Sequence, residues 1–317
     1  MTTKDECAVA IIGAGYMARE HIRAFQDVPG VKIAGITSRT RARAETLAAE
    51  FNIPVVCSSV DELYTKTQAS LVVVTVPELA ANSVIRACIE YPWSLLVEKP
   101  AGYNLADAVD IESAARAKNS RVYVAFNRRF YSSTRSVLLD LKTTNETRFI
   151  HVQDQEDQKR ALEAGQPQLV VENWMYANSI HVIDYFAFFG RGEITAVEPV
   201  VAWNPKTPWI VIAKIRFASG DIGLYEGIWN GPGPWSVSIN MPSKRWEMRP
   251  LEQAAYQLAG QRKLEPVEPH AWDHQFKPGL RLMAEQAVAA AQGRPTELPT
   301  LIDSLKSMRL VKSIFGL

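Results

Sequence analysis

Cysteine is scarce in this 317-residue chain, and net charge is nearly absent. Cys7, Cys57 and Cys88 lie far apart in apolar surroundings, an odd set without metal-ligand spacing. They read as reduced core thiols, which excludes a disulfide framework and a zinc module and leaves no metal site to assign. A formal net charge of +1, with no long block of one sign, gives no footprint for nucleic acid or a membrane surface. No apolar run approaches the length of a bilayer span. Met1 to Glu6 are polar and lack the apolar segment of a secretory signal, so the expected location is the cytoplasm. Internal repeats and low-complexity stretches are missing as well. What remains is an ordinary globular composition, long enough for two domains with substantial cores.

The most informative stretch runs from Ala8 to Ala18. A short apolar strand breaks on Gly13-Ala14-Gly15-Tyr16-Met17-Ala18, and a helical pattern follows to Phe25. In the G-x-G-x-x-G/A fingerprint, Gly13 permits the tight turn and Gly15 leaves room for a pyrophosphate. Ala18 allows close helix–strand packing. The helix then turns its N-terminal N–H groups and positive dipole end toward the phosphates. The same turn also occurs without a nucleotide; its place after a buried-type strand and before a helix favours the dinucleotide reading.

Strand and helix alternate from residue 8 to about 127, which predicts a doubly wound, mostly parallel sheet. Ligands of such sheets bind beyond the carboxyl ends of the strands. At those ends lie Ser38-Arg39-Thr40, Thr75-Val76-Pro77, Glu98-Lys99-Pro100 and Asn127-Arg128-Arg129-Phe130. After the second strand, Val31 to Ile36, there is no acid to accept from the ribose hydroxyls of NAD. Ser38, Arg39 and Thr40 instead offer a forked cation between two hydroxyls, which suits the 2′-phosphate of NADP. A plain helix N-cap in a solvated basic turn is the alternative.

Past residue 127 the pattern changes, so domains of 1–127 and 128–317 are expected. Strands at about 148–155, 194–203, 209–217, 222–229, 236–241 and 244–249 follow one another with few helices between them, predicting an α+β domain with a largely antiparallel open sheet. Ser219-Gly220-Asp221 marks a hairpin turn. A helix is expected over 178–189. Closing helices are expected over 272–292 and 301–315, packing back on the first domain.

Four motifs in order, Gly13-x-Gly15-x-x-Ala18, Glu98-Lys99-Pro100, Asn127-Arg128-Arg129-Phe130 and His181-Val182-Ile183-Asp184, resemble the glucose–fructose oxidoreductase / inositol dehydrogenase (Gfo/Idh/MocA) family. The resemblance spans nearly the whole chain, although the second domain is short for the family. It implies NAD(P)-dependent hydride transfer at a sugar, polyol or nucleotide-linked sugar carbon. It also implies homodimers or homotetramers built through the sheet face. By analogy, Lys99 is the proton donor and acceptor at the reacting oxygen, and a cationic nicotinamide nearby would disfavour its ammonium form. Glu98 orients cofactor or backbone. The matching family histidine binds and polarises the hydroxyl, which gives His181 that role. Asp184, one turn on, is either its structural partner or a site residue.

One departure stands out. Many catalytic members carry an Asp four residues before that histidine, and this chain has Ala177. The proton relay is then altered, supplied from elsewhere or absent, and Tyr176 and Asn178 flank the gap. Asn127, Arg128 and Tyr131 are expected to line the cleft between domains, with Arg128 able to hold a phosphate or carboxylate, or simply to cap the sheet. Of Trp174, Trp203, Trp209, Trp229 and Trp235, only Trp174 is placed in the substrate pocket; the others are expected to pack sheet faces. Gly231-Pro232-Gly233-Pro234 is read as a structural turn. Two rival readings remain: a binding sensor or scaffold that has lost its chemistry, and a reductase of a non-sugar carbonyl or imine.

Overall fold

The computed structural model describes residues 6–317, so the polar opening segment lies, Glu6 apart, outside the described residues. Strand β1 (Cys7–Ile12) lies between parallel neighbours, β2 (Val31–Thr37) on one side and β4 (Leu71–Val74) on the other, and is apolar on both faces because crossover helices cover both faces of such a sheet. Val9, Ala10 and Ile11 are wholly buried, as are Val72 and Val73. β3 (Val56–Cys57), β5 (Ser94–Glu98) and β6 (Arg121–Ala125) complete a parallel sheet of order β3-β2-β1-β4-β5-β6. Strand order reverses between β1 and β4, which creates a crevice beyond their carboxyl ends.

The crossovers are α1 (Tyr16–Gln26), α2 (Arg41–Phe51), α3 (Val60–Thr67), α4 (Glu78–Cys88) and α5 (Leu105–Ala117). Helix α3 shows why such segments are helical. The Ser59 hydroxyl accepts from the Glu62 N–H at 3.0 Å, while a Glu62 oxygen accepts from the Ser58 N–H at 2.6 Å. β4 ends its pairing at Val74, where the Thr75 N–H makes the last bond to β1, to the Ile12 carbonyl at 2.8 Å.

A 3-10 turn (Asn127–Phe130) leads to α6 (Ser132–Leu141), β7 (Phe149–Glu156), α7 (Gln158–Glu163) and α8 (Gln168–Glu172). A π-helical turn (Met175–Ser179) runs into α9 (Ile180–Phe189), so the expected helix starts earlier and with a wider first turn. Then come β8 (Ile194–Val201), β9 (Ile210–Phe217), β10 (Ile222–Trp229), β11 (Ser236–Asn240) and β12 (Lys244–Met248). β13 (Ala254–Leu258) and β14 (Glu265–Val267) extend the sheet beyond the strands expected from sequence; both are short with weak alternation, and β14 forms the edge. The order is β14-β13-β12-β11-β7-β10-β9-β8, antiparallel except for the β7/β10 pair.

The expected closing helix over 272–292 is two, α10 (Ala271–Gln275) and α11 (Leu280–Ala291). Pro278 has no N–H to continue a helix, and Gly279 takes φ 77°, so Lys277-Pro278-Gly279 forms a break. α12 (Leu301–Phe315) ends the chain. Two compact units result. The first takes the chain up to Asn127 and returns for Gln275–Leu305, and the second holds Arg128–His274 and Lys306–Leu317. Among the described residues, no helix is long and apolar enough to cross a membrane.

One buried ion cluster fixes a corner of the second unit. Asp221, in the β9–β10 turn, is 1 % exposed. It accepts from the Arg148 N–H at 2.9 Å, the Arg191 N–H at 3.0 Å and the Arg191 guanidinium at 2.7 and 3.0 Å. Burial works to raise its pKa, but Arg191 and the two backbone donors outweigh it and hold Asp221 below the usual aspartate range. Asp221→Ala should therefore destabilise the protein by about 3–5 kcal/mol at neutral pH, because it leaves buried donors unpaired. The difference from wild type should shrink as pH falls through the folded Asp221 pKa, as urea unfolding across a pH series would reveal. A pH-independent difference would show that the carboxylate charge is not what matters.

Candidate active site

In the first unit the site is built on Gly13. Its φ is +111°, and a Cβ there would sit 2.5 Å from both the carbonyl and hydroxyl oxygens of Thr75, so only glycine fits. The Gly13 N–H donates to the Thr37 carbonyl at 2.8 Å, binding the ends of β1 and β2 together. Gly15 is the opposite case: a Cβ there would meet nothing within 4 Å. It is the N-cap of α1, with no side-chain cap and no acidic residue in the first turn. Ala14 and the half-exposed Met17 flank this opening, and Tyr16 stands 64 % exposed beside it. An uncapped helix N-terminus against open space fits a pyrophosphate held by backbone N–H groups.

The neighbouring strand ends supply the rest of this half. Ser38 is half-buried, and Arg39 and Thr40 are exposed after β2. Thr40 takes the N-cap position of α2, although its hydroxyl makes no capping bond. The Thr75 hydroxyl donates to the Ile12 carbonyl at 3.1 Å, followed by Val76 and Pro77, the N-cap of α4. Lys99 is half-buried directly after β5. Glu98 is tied to His21 of α1, Nε2 to Oε1 at 2.7 Å, with His21 only 1 % exposed. That buried histidine was not singled out from sequence, since a lone helical His gives no pattern. The Asn127 amide donates to the Pro278 carbonyl at 3.2 Å.

In the second unit, β7 and the π-turn build the site. Asp154 and Glu156, two residues apart on β7, share its buried face and are 1 % and 2 % exposed. Glu156 accepts from Trp174 Nε1 at 2.6 Å, from Asn178 Nδ2 at 2.9 and 3.2 Å, and from the Ser179 hydroxyl at 3.5 Å. Asp154 accepts from the Tyr225 hydroxyl at 2.7 Å. Burial is the largest influence on both acids and raises their pKa; the neighbouring Asp154 charge raises Glu156 further. Two carboxyls this close and this dry do not both ionise readily, so the pair retains a proton. The strand was legible from sequence, but its acids were not singled out, because alternation alone does not say that a polar residue faces inward.

The remaining candidates gather on the same unit. The Arg128 guanidinium lies 4.3 Å from the Trp235 ring centroid, and its Nε and Nη1 are buried without a hydrogen-bond partner. The half-buried His181 ring lies 6.4 Å from the same indole. Trp235 is thus a platform shared by Arg128 and His181, although sequence reading had assigned it only packing. Tyr131 is buried at 4 %, and Ala177 at 4 %. Burial pushes the Tyr176 phenol up to about 12, so it stays neutral at physiological pH. Asp184 is bound bidentately by Arg129, at 2.6 and 2.7 Å, and accepts from the Ser307 hydroxyl at 2.6 Å. Of its two expected roles, these partners favour the structural one.

With this geometry in hand, comparison with known proteins is informative. The GFO_IDH_MocA profile, an oxidoreductase family with an NAD-binding Rossmann fold, matches residues 7–126. Residues 7–126 thus match the NAD-binding Rossmann domain of this family. Inositol 2-dehydrogenase 1 of Paenarthrobacter aurescens is 23% identical over 192 residues, covering 60% of this chain and 56% of that protein. The chain therefore matches little more than half the length of this relative. A 4-carboxy-2-hydroxymuconate-6-semialdehyde dehydrogenase of a Sphingobium species is 23% identical, covering 71% of this chain and 73% of that protein. A levoglucosan dehydrogenase solved in complex with NADH superposes with a TM-score of 0.82 at 17% identity, covering 98% of this chain and 96% of that one. At that identity the likeness concerns the fold alone, and it spans both units.

The buried acid pair generates a stability prediction. A carboxyl whose folded pKa is raised binds its proton more tightly in the native state than in the unfolded chain. Its contribution is therefore full below the unfolded pKa and is lost as pH rises toward the folded one. Glu156→Gln should make stability fall less steeply over that window, by up to about 1.4 kcal/mol per pH unit for one retained proton. Chemical denaturation of both proteins from acidic to neutral pH checks this. Parallel curves would rule out the retained proton.

Proposed function

We propose that this protein is an NAD(P)-dependent oxidoreductase acting on a carbinol or carbonyl carbon of a sugar, polyol or nucleotide-linked sugar, with NADP(H) preferred. The observation that carries the reading is the conjunction, in one sheet, of the open uncapped turn at Gly15 with Lys99 at the end of β5. A binding module needs the first feature and not the second. The family match over residues 7–126 and the inositol and levoglucosan dehydrogenases among its relatives support the same class.

The nicotinamide, when bound, supplies the hydride acceptor or donor. The backbone N–H groups of Ala14, Gly15, Tyr16 and Met17 would hold the pyrophosphate. Ser38, Arg39 and Thr40 would hold the 2′-phosphate, and Thr75, Val76 and Pro77, with Glu98, Asn127 and Arg128, would complete the cofactor wall. Lys99 would hold the reacting oxygen and move its proton, since loss of a hydride from a carbinol carbon requires loss of the hydroxyl proton. His181 would orient that hydroxyl. Asn127, Arg128, Tyr131, Trp174 and Asn178 would bind the remainder of the substrate, with the Arg128 donors suited to an oxygen-rich group.

Ala177 provides no carboxylate, but Glu156 lies under the same helical turn and receives bonds from Trp174, Asn178 and Ser179. In this reading Glu156 sets the positions of Trp174 and Asn178. Ala177 is also the feature that favours the second reading, a sensor of the same fold without turnover. The semialdehyde dehydrogenase among the relatives keeps a non-sugar carbonyl substrate in view. A homodimer or homotetramer through the open sheet belongs to the same proposal; Phe149 and Ile222, register partners on neighbouring strands, are 39 % and 36 % exposed. So does a cytoplasmic location.

Nicotinamide absorbance, followed with a panel of sugars, polyols and sugar nucleotides and in reverse with aldehydes and ketones, tests the class. Turnover with one of them is expected, and cofactor binding without turnover across the panel would move the reading to the sensor. Lys99→Ala should abolish turnover, by roughly a hundredfold or more, while cofactor affinity changes little. Unchanged turnover would remove Lys99 from the chemistry. Arg39→Ala should weaken NADPH binding by about tenfold and NADH binding hardly at all. Equal losses would argue against NADP.

A further inference from the structure

The break between α10 and α11 is where the first unit carries an unassigned cation. Lys277 is half-buried, and among the described residues its ammonium makes no ion pair. Its Nζ lies instead 5.6 Å from the ring centroid of Tyr16. Tyr16 is the first residue of α1, directly after Gly15, at the open turn described above.

The segment is pinned on both sides of Lys277. Arg23 of α1 donates to the Gln275 carbonyl at 3.0 Å and lies 6.0 Å from the Phe276 ring centroid. The Asn127 amide holds the Pro278 carbonyl at 3.2 Å. Arg281 binds the Asp27 carboxylate at 2.5 Å and the Asp27 carbonyl at 3.1 Å, at the far end of α1. Pro278 fixes its own φ, and Gly279 supplies the left-handed residue that starts α11. The result is a strap along α1 that holds one lysine beside the opening of the glycine turn.

A pyrophosphate carries two negative charges. The turn offers neutral amides and a helix dipole equivalent to about half a charge, which leaves most of the anion uncompensated on its solvent side. Resting on the oxidoreductase reading and its cofactor site, we propose that Lys277 is a cofactor-binding residue whose ammonium takes the outer side of the dinucleotide pyrophosphate while the Gly13–Met17 amides take the inner side. Tyr16 then has a defined part. Its ring face holds the ammonium in place by a cation–π contact when no phosphate is present. The assignment makes the C-terminal strap a component of the nucleotide half, and its effect is common to NAD and NADP, unlike that of Arg39.

Fluorescence titration of the full chain with NADPH and NADH, and competition by ADP-ribose and by adenosine 2′-monophosphate, tests this without any substrate. Lys277→Gln should weaken NADPH, NADH and ADP-ribose by about tenfold each, the scale of one charged hydrogen bond. It should leave adenosine 2′-monophosphate within about twofold, since that ligand carries the 2′-phosphate and no phosphate at the 5′ position, where the pyrophosphate attaches. Lys277→Arg should restore most of the loss, and the loss should diminish as salt is raised. Unchanged binding of all three pyrophosphate ligands by a Lys277→Gln protein would overturn the assignment. So would an equal loss for adenosine 2′-monophosphate, which would mark a general disturbance of the fold. Wild-type protein that binds none of the four would overturn the cofactor site itself and Lys277 with it.

Discussion

The close approach of Gly13 to Thr75 is the constraint on which the first unit depends. A methyl group at position 13 would collide with the Thr75 backbone, and the left-handed φ rules out other residues independently. This contact lets the Gly13 N–H reach Thr37 and the Thr75 N–H reach Ile12, so the ends of β2, β1 and β4 are joined by two bonds of 2.8 Å. The strand order reverses at that place, so the crevice there is a property of topology held open by one missing side chain. Everything assigned to the nucleotide follows from it: the exposed helix N-terminus, the strand-end hydroxyls and the strap that carries Lys277.

The second unit solves a different problem. Its site wall contains two carboxyls that water does not reach, an arrangement that costs stability unless each is satisfied. Tyr225 serves Asp154, and Trp174, Asn178 and Ser179 serve Glu156. Three of these four donors come from the π-turn and its flanks, where the backbone is wider than an α-helix. Such bulges re-aim side chains, and this one turns Trp174 and Asn178 toward β7. The acids and the π-turn are therefore one device. Removing the acids would leave the turn without its reason.

Legibility in the sequence divides along physical lines. The parallel sheet was readable because a strand buried on both faces must be continuously apolar, and Leu71–Val74 and Leu95–Val97 are. Gly13 and Gly15 were readable because only glycine meets the steric demand of the turn. The short strands β13 and β14 were not, since half-exposed short strands carry little alternation, and the π-turn was not, since a π-turn differs from an α-helix by a hydrogen-bond shift that periodicity over five residues does not resolve. His21, Asp154 and Glu156 went unassigned, and Trp235 was assigned only packing, for a shared reason. Each acquires its role from a partner distant in sequence, at Glu98, Tyr225, Trp174 and Arg128 respectively.

The helix break at Lys277-Pro278-Gly279 shows how a local rule becomes a functional one. Helical periodicity over 272–292 invites one continuous helix, and in such a helix Lys277 would be one more solvated cation. Proline and glycine in succession forbid it. The interruption lets Arg23, Asn127 and Arg281 hold the released backbone and side chains against α1 and the end of β6. A charge is useful to a phosphate only where it need not be ordered on binding, because ordering a long flexible side chain opposes the attraction. Pinning the backbone on both sides of Lys277, and resting its ammonium on Tyr16, removes much of that cost in advance.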